Sequence, residues 1–303
     1  MKCYLDTDAL SKLIQRLPGA SLELLPRNVI IVTSDLAIEE LIVTSDSTRR
    51  VQLAQGMLSL IENGAIVLSH MNHQIDWAVE DFLAGSTVFT PYEIYNRKGV
   101  CTLLRNSSSL PPSLWDRIAG KREAENLGWD EMHKQGRPGL QRVLASGADL
   151  PSAGDWVSMI GGSSFASDLL RDVVSSGHAE ALKGREQSYV QWNPICRCYI
   201  EQFLLAIRRY GIEPPNVSSK KGPKWADYFH GAFVGVVDSF VTNDKRFRRA
   251  LSQHREVRGG SRWEIFELSD FLGRVQSGSY QGETEVNRDA RWGVPQVAKR
   301  HDH

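Results

Sequence analysis

Four carboxylate residues stand at comparable positions along the chain. Asp6 ends the first apolar run, and Asp244 ends the run within S-F-V-T-N-D-K-R-F. Glu40 falls on the helical segment after the second apolar run, and Asp227 lies near the start of the helical segment before S-F-V-T. In a parallel sheet the carboxyl ends of strands and the adjacent helix starts share one edge, where ligand sites form. The order of these residues therefore predicts that the four side chains meet at that edge.

Such a group of acids is unstable unless protons or cations compensate its charge. Two carboxylates about 4 Å apart repel by roughly 4 kcal/mol at an effective dielectric constant of about 20. A divalent cation is the usual compensation, and a set of oxygen ligands favours Mg²⁺ or Mn²⁺ over Zn²⁺. Two such cations about 3.5–4 Å apart can activate a water molecule and stabilise the leaving oxygen in phosphodiester cleavage. The residue types therefore favour a metal-dependent hydrolase.

Short apolar runs that alternate with helical patterns indicate how these acids are positioned. The runs have four or five residues and several are rich in β-branched side chains, which is typical of buried parallel strands. They predict an α/β fold in which a central parallel sheet is covered on both faces, as in an α/β/α sandwich. The strands are expected near residues 2–6, 29–32, 65–68, 239–242 and 263–268.

The middle of the chain follows a different pattern. Between residues 86 and 192 short amphipathic stretches are broken by Gly, Pro and Ser, and no strand is evident. This pattern predicts a helical insertion over 86–199 that lies on one side of the sheet. Segments 1–85 and 200–276 would then form one discontinuous domain. The polar, Gly-containing stretch 277–303 has the composition of a mobile tail.

Composition narrows the class of protein without selecting a partner. The 303 residues contain 36 Lys and Arg and 36 Asp and Glu, so the net charge is about zero and does not by itself indicate nucleic-acid binding. No stretch approaches the roughly 18 apolar residues of a membrane span, and the charged start M-K-C-Y-L-D lacks the apolar core of a signal peptide. The four cysteines do not have zinc-site spacing. These features predict a cytoplasmic protein with reduced thiols.

Several stretches resemble the PIN-domain ribonucleases in order and setting. They are Y-L-D-T-D-A-L-S-K-L, A-I-E-E-L, W-A-D-Y-F and F-V-T-N-D-K-R-F, followed by the closing E-I-F-E-L-S-D-F-L. The family commonly has Asn where this chain has Asp8. Its second acid stands in an a-E-L context, which selects Glu40 over Glu39. The resemblance covers roughly residues 1–84 and 200–276, and the long middle block departs from the compact members of the family.

The resemblance implies a metal-dependent endoribonuclease that cleaves single-stranded RNA, with single-stranded DNA as a further candidate substrate. It also implies a toxin-like role in which an inhibitor protein is a candidate partner, and it leaves the oligomeric state open. The implied catalytic metal ligands, for Mg²⁺ or Mn²⁺, are Asp6, Glu40, Asp227 and Asp244. The candidate supporting residues are Asp8, Asp238, Thr242 and Asn243.

Basic residues cluster in sequence around the last of these acids. They would form a rim that grips the phosphates of a nucleic acid, because a metal centre alone does not hold a long polyanion. The alternative interpretation is a solvated helix face. The candidate nucleic-acid-binding residues are Lys224, Lys245, Arg246, Arg248 and Arg249.

Each acid also has an ordinary structural interpretation. Asp6 could cap the helix that follows it, and Asp227 could stabilise a helix start through the dipole. Glu40 could be a solvated helix residue, and Asp244 and Asp238 could be turn residues.

Two other functions compete with the nuclease. The stretch L-D-T-D also resembles the start of haloacid-dehalogenase-type phosphatases, in which the first Asp is the nucleophile. Leu10 stands where that family has Thr or Val, and the expected later lysine and acidic pair are not evident. A non-catalytic PIN-like scaffold whose insertion binds a partner is the third interpretation.

Overall fold

A five-stranded parallel sheet forms the centre of the protein. The computed structural model describes residues 1–16, 28–44, 46–109, 151–162, 164–212, 225–260 and 263–277, with isolated positions between 111 and 124. The strand order is β3-β2-β1-β4-β5, and every neighbouring pair is parallel. The strands are β1 (Lys2–Leu5), β2 (Ile30–Ser34), β3 (Ile66–Leu68), β4 (Ser239–Val241) and β5 (Glu264–Phe266).

The first strand is the central strand, although it begins at the second residue of the chain. Tyr4 lies opposite Val32 on one side and opposite Phe240 on the other. The sheet therefore joins the start of the chain to a segment more than 230 positions later. This pairing brings the residues that follow β1 and β4 to the same edge of the sheet.

Helices cover both faces of this sheet. The first helices are α1 (Thr7–Arg16), α2 (Asp35–Ile42), α3 (Ser47–Glu62), α4 (Met71–Asp76), α5 (Ala78–Leu83) and α6 (Arg97–Arg105). The middle of the chain contributes α7 (Ala153–Gly161), α8 (Ser164–Val173), α9 (Ser176–Ala181) and α10 (Glu186–Trp192). The last are α11 (Pro194–Ile212), α12 (Trp225–Ala232), α13 (Lys245–Val257) and α14 (Leu268–Gln276).

Successive side chains of each strand belong alternately to two separate apolar cores, one on each face of the sheet. Tyr4 and Phe240 belong to the core formed with α4, α5, α7, α8 and α10–α13. Cys3, Leu5 and Val241 belong to the core formed with α1, α3, α6 and α14. Because successive side chains of a strand point to opposite faces, a strand buried on both sides is apolar throughout. The prediction of a parallel α/β sheet covered on both faces is confirmed.

The middle of the chain packs onto the sheet as part of these layers. Helices α7, α8 and α10 share the core of Tyr4 and Phe240, and α6 lies in the core on the opposite face through Leu104. The expectation that the whole block lies on one side of the sheet is therefore wrong for α6. In the described part of residues 86–192 no strand is present, and the only pairing is an isolated bridge between Leu68 and Glu93.

Several predicted boundaries differ from the structure. The helix that begins at Pro194 runs through Gly211 to Ile212, so Gly211 does not end it. The segment before β4 is α-helical only as far as Ala232, and a 3₁₀ turn over Phe233–Val236 follows it. Residues 278–303, for which the sequence predicts a tail, lie outside the described residues. The cysteines are all free, and none of the described helices has the length and apolar character that a membrane span requires.

The turn before β4 provides a test of the packing between α11 and the sheet. A Cβ atom on Gly235 would lie 2.5 Å from the carbonyl oxygen and 2.8 Å from the carbonyl carbon of Pro194. These are backbone atoms and cannot rotate away, so we expect Gly235→Ala to lower the free energy of unfolding by about 1–3 kcal/mol. Urea denaturation measures this change.

A glycine in an open position is the matched control. Gly273 lies within α14, and no heavy atom lies within 4 Å of the Cβ that an alanine would add. Replacing a helical glycine by alanine in free space stabilises by roughly 0.5–1 kcal/mol. Equal and small effects of Gly235→Ala and Gly273→Ala would contradict the close packing at Pro194.

Candidate acidic cleft

A cleft of about 470 Å³ opens at the carboxyl-terminal edge of the sheet. Asp6 reaches it from the end of β1 and Glu40 from α2. Asp227 reaches it from the first turn of α12, and Asp244 from the start of α13. Four segments of the chain thus bring the four predicted acids to one cleft. Glu39 does not line it, because neighbouring residues of a helix point in directions about 100° apart.

Asp6 lies at the buried end of the cleft. Its side chain is 5% exposed, its Oδ1 accepts a hydrogen bond from the Ala9 amide at 2.9 Å, and the Thr242 hydroxyl donates to the same carboxylate. Burial raises the pKa of Asp6 to about 6, although Thr242, the Ala9 amide and His230 each act to lower it. Burial disfavours the ionised form of the Asp6 carboxyl group. A cation bound next to it would favour that ionised form.

Asp244 lies at the exposed end of the cleft and also caps a helix. Its Oδ1 accepts hydrogen bonds from the amides of Arg246 at 2.7 Å and Phe247 at 3.0 Å. Asp6 caps α1 in the same way through Ala9. The capping interpretation is thus correct for Asp6, and Asp244, for which the alternative was a turn residue, is a helix cap as well. It does not conflict with a second role, because the capping bonds of Asp244 use one carboxylate oxygen only.

Glu40 is held by two side chains at the rim of the cleft. The Thr7 hydroxyl donates a hydrogen bond to its Oε2 atom, and His230 Nε2 lies 2.9 Å from the same atom. The Glu40 side chain is 17% exposed, and that of His230 is 2% exposed. Glu40 is therefore not the solvated helix residue of the alternative interpretation.

His230 is a site residue that the sequence did not reveal. It lies one turn after Asp227 on α12, within W-A-D-Y-F-H, and its Nδ1 atom is 2.7 Å from the Tyr4 hydroxyl. Burial acts to lower the pKa of His230, but the charges of Glu40, Asp6 and Asp227 and the hydrogen bond to Glu40 together raise it above its ordinary value. The raised pKa means that the surrounding acids favour the protonated form of His230. The i, i+3 spacing from Asp227 is the only signal in the sequence, and it is weak.

The candidate supporting residues fall in different places. Thr242 is fully buried, and its hydroxyl also accepts from the Asp244 amide at 3.1 Å. Asp8 lines the cleft but is exposed and forms an ion pair with Lys12 at 2.8 Å.

The other two supporting residues do not reach the cleft. Asn243 Oδ1 accepts from the Leu268 amide at 3.2 Å, so its side chain fixes the start of α14. Asp238 precedes β4 at the opposite edge of the sheet, where its Oδ2 accepts from the Lys2 amide at 2.8 Å. A residue at the amino end of a parallel strand cannot face a cleft at the carboxyl end. Asp238 is therefore not part of the candidate site. Its position matches the alternative interpretation as a turn residue.

The predicted basic rim is present only in part. Lys245, Arg246 and Arg249 are exposed on α13, which begins beside Asp244. Arg248 forms an ion pair with Glu267 instead. Lys224 lies outside the described residues.

Arg49 is a second site residue that the sequence did not reveal. It lies in the first turn of α3 and lines the cleft, as do Leu41 and Leu53. Its backbone amide is bound by Asp46, whereas no carboxylate among the described residues pairs with its guanidinium group. An exposed guanidinium group beside a set of acids is suited to contact a phosphate.

The spacing of the acids sets the kind of metal site that they could form. Within the described residues, no three of the cleft carboxylates offer oxygen atoms that all lie within 4.8 Å of one another. The four acids therefore do not form a closed cage for one ion. Their oxygen atoms are of the ligand type that Mg²⁺ and Mn²⁺ prefer.

A different group does meet this distance criterion. Cys198 and Glu201 on α11 and His254 on α13 each place one potential ligand atom within 4.8 Å of the others. However, Arg258 Nη1 lies 3.2 Å from Cys198 Sγ, and Arg258 Nε lies 3.4 Å from Glu201 Oε2, so a cation already occupies this position.

The histidine of this group is also poorly prepared to bind a metal. Histidine ligands usually donate their second ring N–H to an acceptor, and His254 Nδ1 is buried with no hydrogen-bond partner in the described structure. The distances would accommodate a divalent ion, but the charges indicate an ion-pair network between α11 and α13.

Comparisons with models of protein families, with curated proteins and with solved structures found no match to this chain.

Proposed function

We propose that the protein is a Mg²⁺- or Mn²⁺-dependent endoribonuclease of the PIN type that cleaves single-stranded RNA. One observation carries the proposal: Asp6, Glu40, Asp227 and Asp244 come from four distant segments and line one cleft. Helix capping accounts for the positions of Asp6 and Asp244, but it does not require Glu40 and Asp227 to join them, and mutual repulsion opposes that approach. Bound cations would remove that repulsion.

The chain's own residues have separable roles in this proposal. The four carboxylates would hold the ions, which would supply an activated water and charge stabilisation for the leaving oxygen. A hydrogen bond from Thr242 orients the Asp6 carboxylate, and one from Thr7 orients the Glu40 carboxylate. Arg49 would contact a phosphate in the cleft, while Lys245, which is exposed next to Asp244, would contact the flanking phosphates. A cleft open to solvent accepts an internal segment of a strand, which is what endonucleolytic cleavage requires.

The two competing functions find less support in the same cleft. A phosphatase of the haloacid-dehalogenase type needs a lysine near its nucleophile, and no lysine is among the described residues that line the cleft. A non-catalytic scaffold would not need to retain four converging acids. Trapping of an aspartyl-phosphate analogue would support the phosphatase, and binding without cleavage would support the scaffold.

Cleavage of a mixed pool of single-stranded RNA tests the proposal directly. The protein is incubated with the pool and Mn²⁺ or Mg²⁺, with and without EDTA, and the cut sites are mapped. We expect internal cuts that need the metal ion and that disappear in a Glu40→Gln variant purified in the same way. A parallel single-stranded DNA pool defines the sugar preference. Absence of metal-dependent cutting, or equal cutting by the Glu40→Gln variant, would contradict the proposal.

Arg49→Ala is expected to weaken RNA binding about tenfold. A hydrogen bond between charged groups contributes roughly 1.5–3 kcal/mol, and part of this is retained by neighbouring cations. Fluorescence anisotropy with a labelled RNA in EDTA measures binding without cleavage. Arg49→Lys should have an intermediate effect because it keeps the charge and loses the planar fork.

An exposed arginine on another surface is the control for this experiment. Arg105 on α6 forms an ion pair with Glu62 and does not line the cleft. Arg105→Ala should leave the affinity for RNA unchanged. If Arg49→Ala and Arg105→Ala weaken binding equally, the contact is a general charge effect and the assignment of Arg49 to the substrate is wrong.

A further inference from the structure

We infer that His230 and Tyr4 are positioning residues that hold the Glu40 carboxylate at the cleft for metal binding. The inference rests on the proposed function, because it assigns a purpose to groups behind one of its metal ligands. It concerns side chains that do not touch the substrate and that lie behind the acids.

A continuous series of buried polar contacts carries the inference. Ser34 Oγ lies 2.8 Å from the Tyr4 hydroxyl, which lies 2.7 Å from His230 Nδ1. The other ring nitrogen, Nε2, lies 2.9 Å from Glu40 Oε2. Ser34 and Tyr4 are fully buried and His230 is 2% exposed, so solvent does not compete for these contacts. The series leads from the interior of the protein to a single carboxylate oxygen at the rim.

The tyrosine at the base of this series is held rigidly. Its ring lies between those of Phe233 and Phe240, with centroid distances of 5.1 Å to each. Backbone pairing of β1 with β2 and β4 fixes the main chain at the same point. The hydroxyl group therefore has a defined position. Its contact with His230 restrains the imidazole ring, and the ring in turn restrains the Glu40 carboxylate.

Packing alone does not account for these residue types. A phenylalanine at position 4 would stack equally well on its two aromatic neighbours, and it would bury no hydroxyl group. Buried polar groups cost free energy unless every one is satisfied. Here the Tyr4 hydroxyl and both ring nitrogens of His230 are satisfied, and the series ends on an acid of the cleft. Carboxylate ligands of metal ions are oriented by such outer hydrogen bonds, and their loss typically weakens metal affinity 10–100-fold.

Mn²⁺ binding to the intact chain provides a readout that does not depend on RNA cleavage. Isothermal titration with Mn²⁺ gives the dissociation constant of each variant, and circular dichroism shows whether it is folded. His230→Ala should weaken Mn²⁺ binding 10–100-fold, and His230→Gln should restore part of it because the amide can still donate to Glu40. Tyr4→Phe keeps the ring and removes only the hydroxyl, so a loss of about threefold to tenfold is expected.

Tyr189→Phe is the matched control. Tyr189 is also a fully buried tyrosine, its hydroxyl donates to the Ile75 carbonyl, and it has no link to the cleft. Any cost of removing a buried hydroxyl group from the protein appears in this variant too. Mn²⁺ binding should match that of the wild type.

The outcomes separate the inference from the proposed function. Failure of the wild type to bind Mn²⁺, or unchanged binding by Asp6→Asn, would overturn the proposed function and the inference with it. Normal Mn²⁺ binding by the wild type and by folded Tyr4→Phe and His230→Ala variants would overturn only the inference. If His230→Ala does not fold, the comparison of Tyr4→Phe with Tyr189→Phe decides.

Discussion

Asp6→Asn and Asp244→Asn are each expected to reduce metal-dependent RNA cleavage by roughly 100-fold or more, because water activation and charge stabilisation both depend on the bound cation. Each substitution removes one negative ligand and keeps the size of the side chain. A gel assay with a labelled RNA substrate in Mn²⁺ measures the loss. Equal cleavage by the variants and the wild type would exclude both residues from the metal site.

The choice of asparagine separates catalysis from helix capping. Both aspartates accept hydrogen bonds from the first turn of a helix, and asparagine caps a helix about as well as aspartate does. Alanine would remove the cap and cost about 1 kcal/mol of stability. The asparagine variants should therefore keep or slightly raise the thermal midpoint in metal-free buffer, since they relieve repulsion within the cleft.

Asp46→Asn is the control for the capping role. Asp46 caps α3 through the Arg49 amide at 3.1 Å, and it does not line the cleft. This variant should cleave RNA at the rate of the wild type. Normal cleavage by Asp6→Asn and Asp244→Asn, with a lower midpoint only in the corresponding alanine variants, would mean that these acids act only as caps.

The second large effect expected is a fall in the contribution of Asp6 to the stability of the metal-free protein between about pH 4 and pH 6. The pKa of Asp6 is about 6 in the folded chain, compared with an ordinary value of 3.8. Between these values the folded state binds more protons than the unfolded state, so stability falls as the pH rises. A difference of about two pKa units corresponds to about 3 kcal/mol lost by pH 7.

His230 adds a second pH range, at higher pH, in which its contribution to stability also falls as the pH rises. Its pKa is raised in the folded chain, so its contribution to stability is fully present below the unfolded value and is lost as the pH rises through the folded value. Asp6→Asn should remove the fall in stability in the lower pH range. It should also move the upper range to lower pH, because the Asp6 charge helps to raise the pKa of His230.

Urea denaturation in EDTA at a series of pH values measures these contributions as differences between variants. Subtracting the curve of Asp6→Asn from that of the wild type gives the contribution of Asp6 at lower pH and the accompanying shift of the His230 contribution at higher pH, since the other carboxyl groups are common to both. Parallel curves for the wild type and Asp6→Asn would show that the folded chain ionises Asp6 without cost.

Local patterns in the sequence were sufficient for the type of fold and for the region of the cleft. Runs such as V-I-I-V are apolar on both faces, and only strands buried between two layers need that pattern. Once the strands are parallel, their carboxyl ends must share an edge. This is why Asp6 and Asp244 could be placed near each other although 238 positions of sequence separate them.

The same local reasoning failed where the direction of one side chain or the face of one helix mattered. Asp238 and Asp244 flank the same short strand, yet they lie at opposite edges of the sheet. Asn243 stands beside Asp244 in sequence, but its side chain binds the Leu268 amide. Helix α6 was expected with the rest of the middle block and packs on the other face. Neighbouring positions differ in direction, and a face is chosen only when the whole layer assembles.

The sequence by itself determined that strands alternate with helices and that acids follow the strands, because both properties depend on residues close together in the chain. Only the tertiary structure decided which residues support those acids. Tyr4 and His230 are 226 positions apart, and they meet because β1 lies between β2 and β4. That strand order depends on the packing of two cores at once, and no local pattern of residues specifies it.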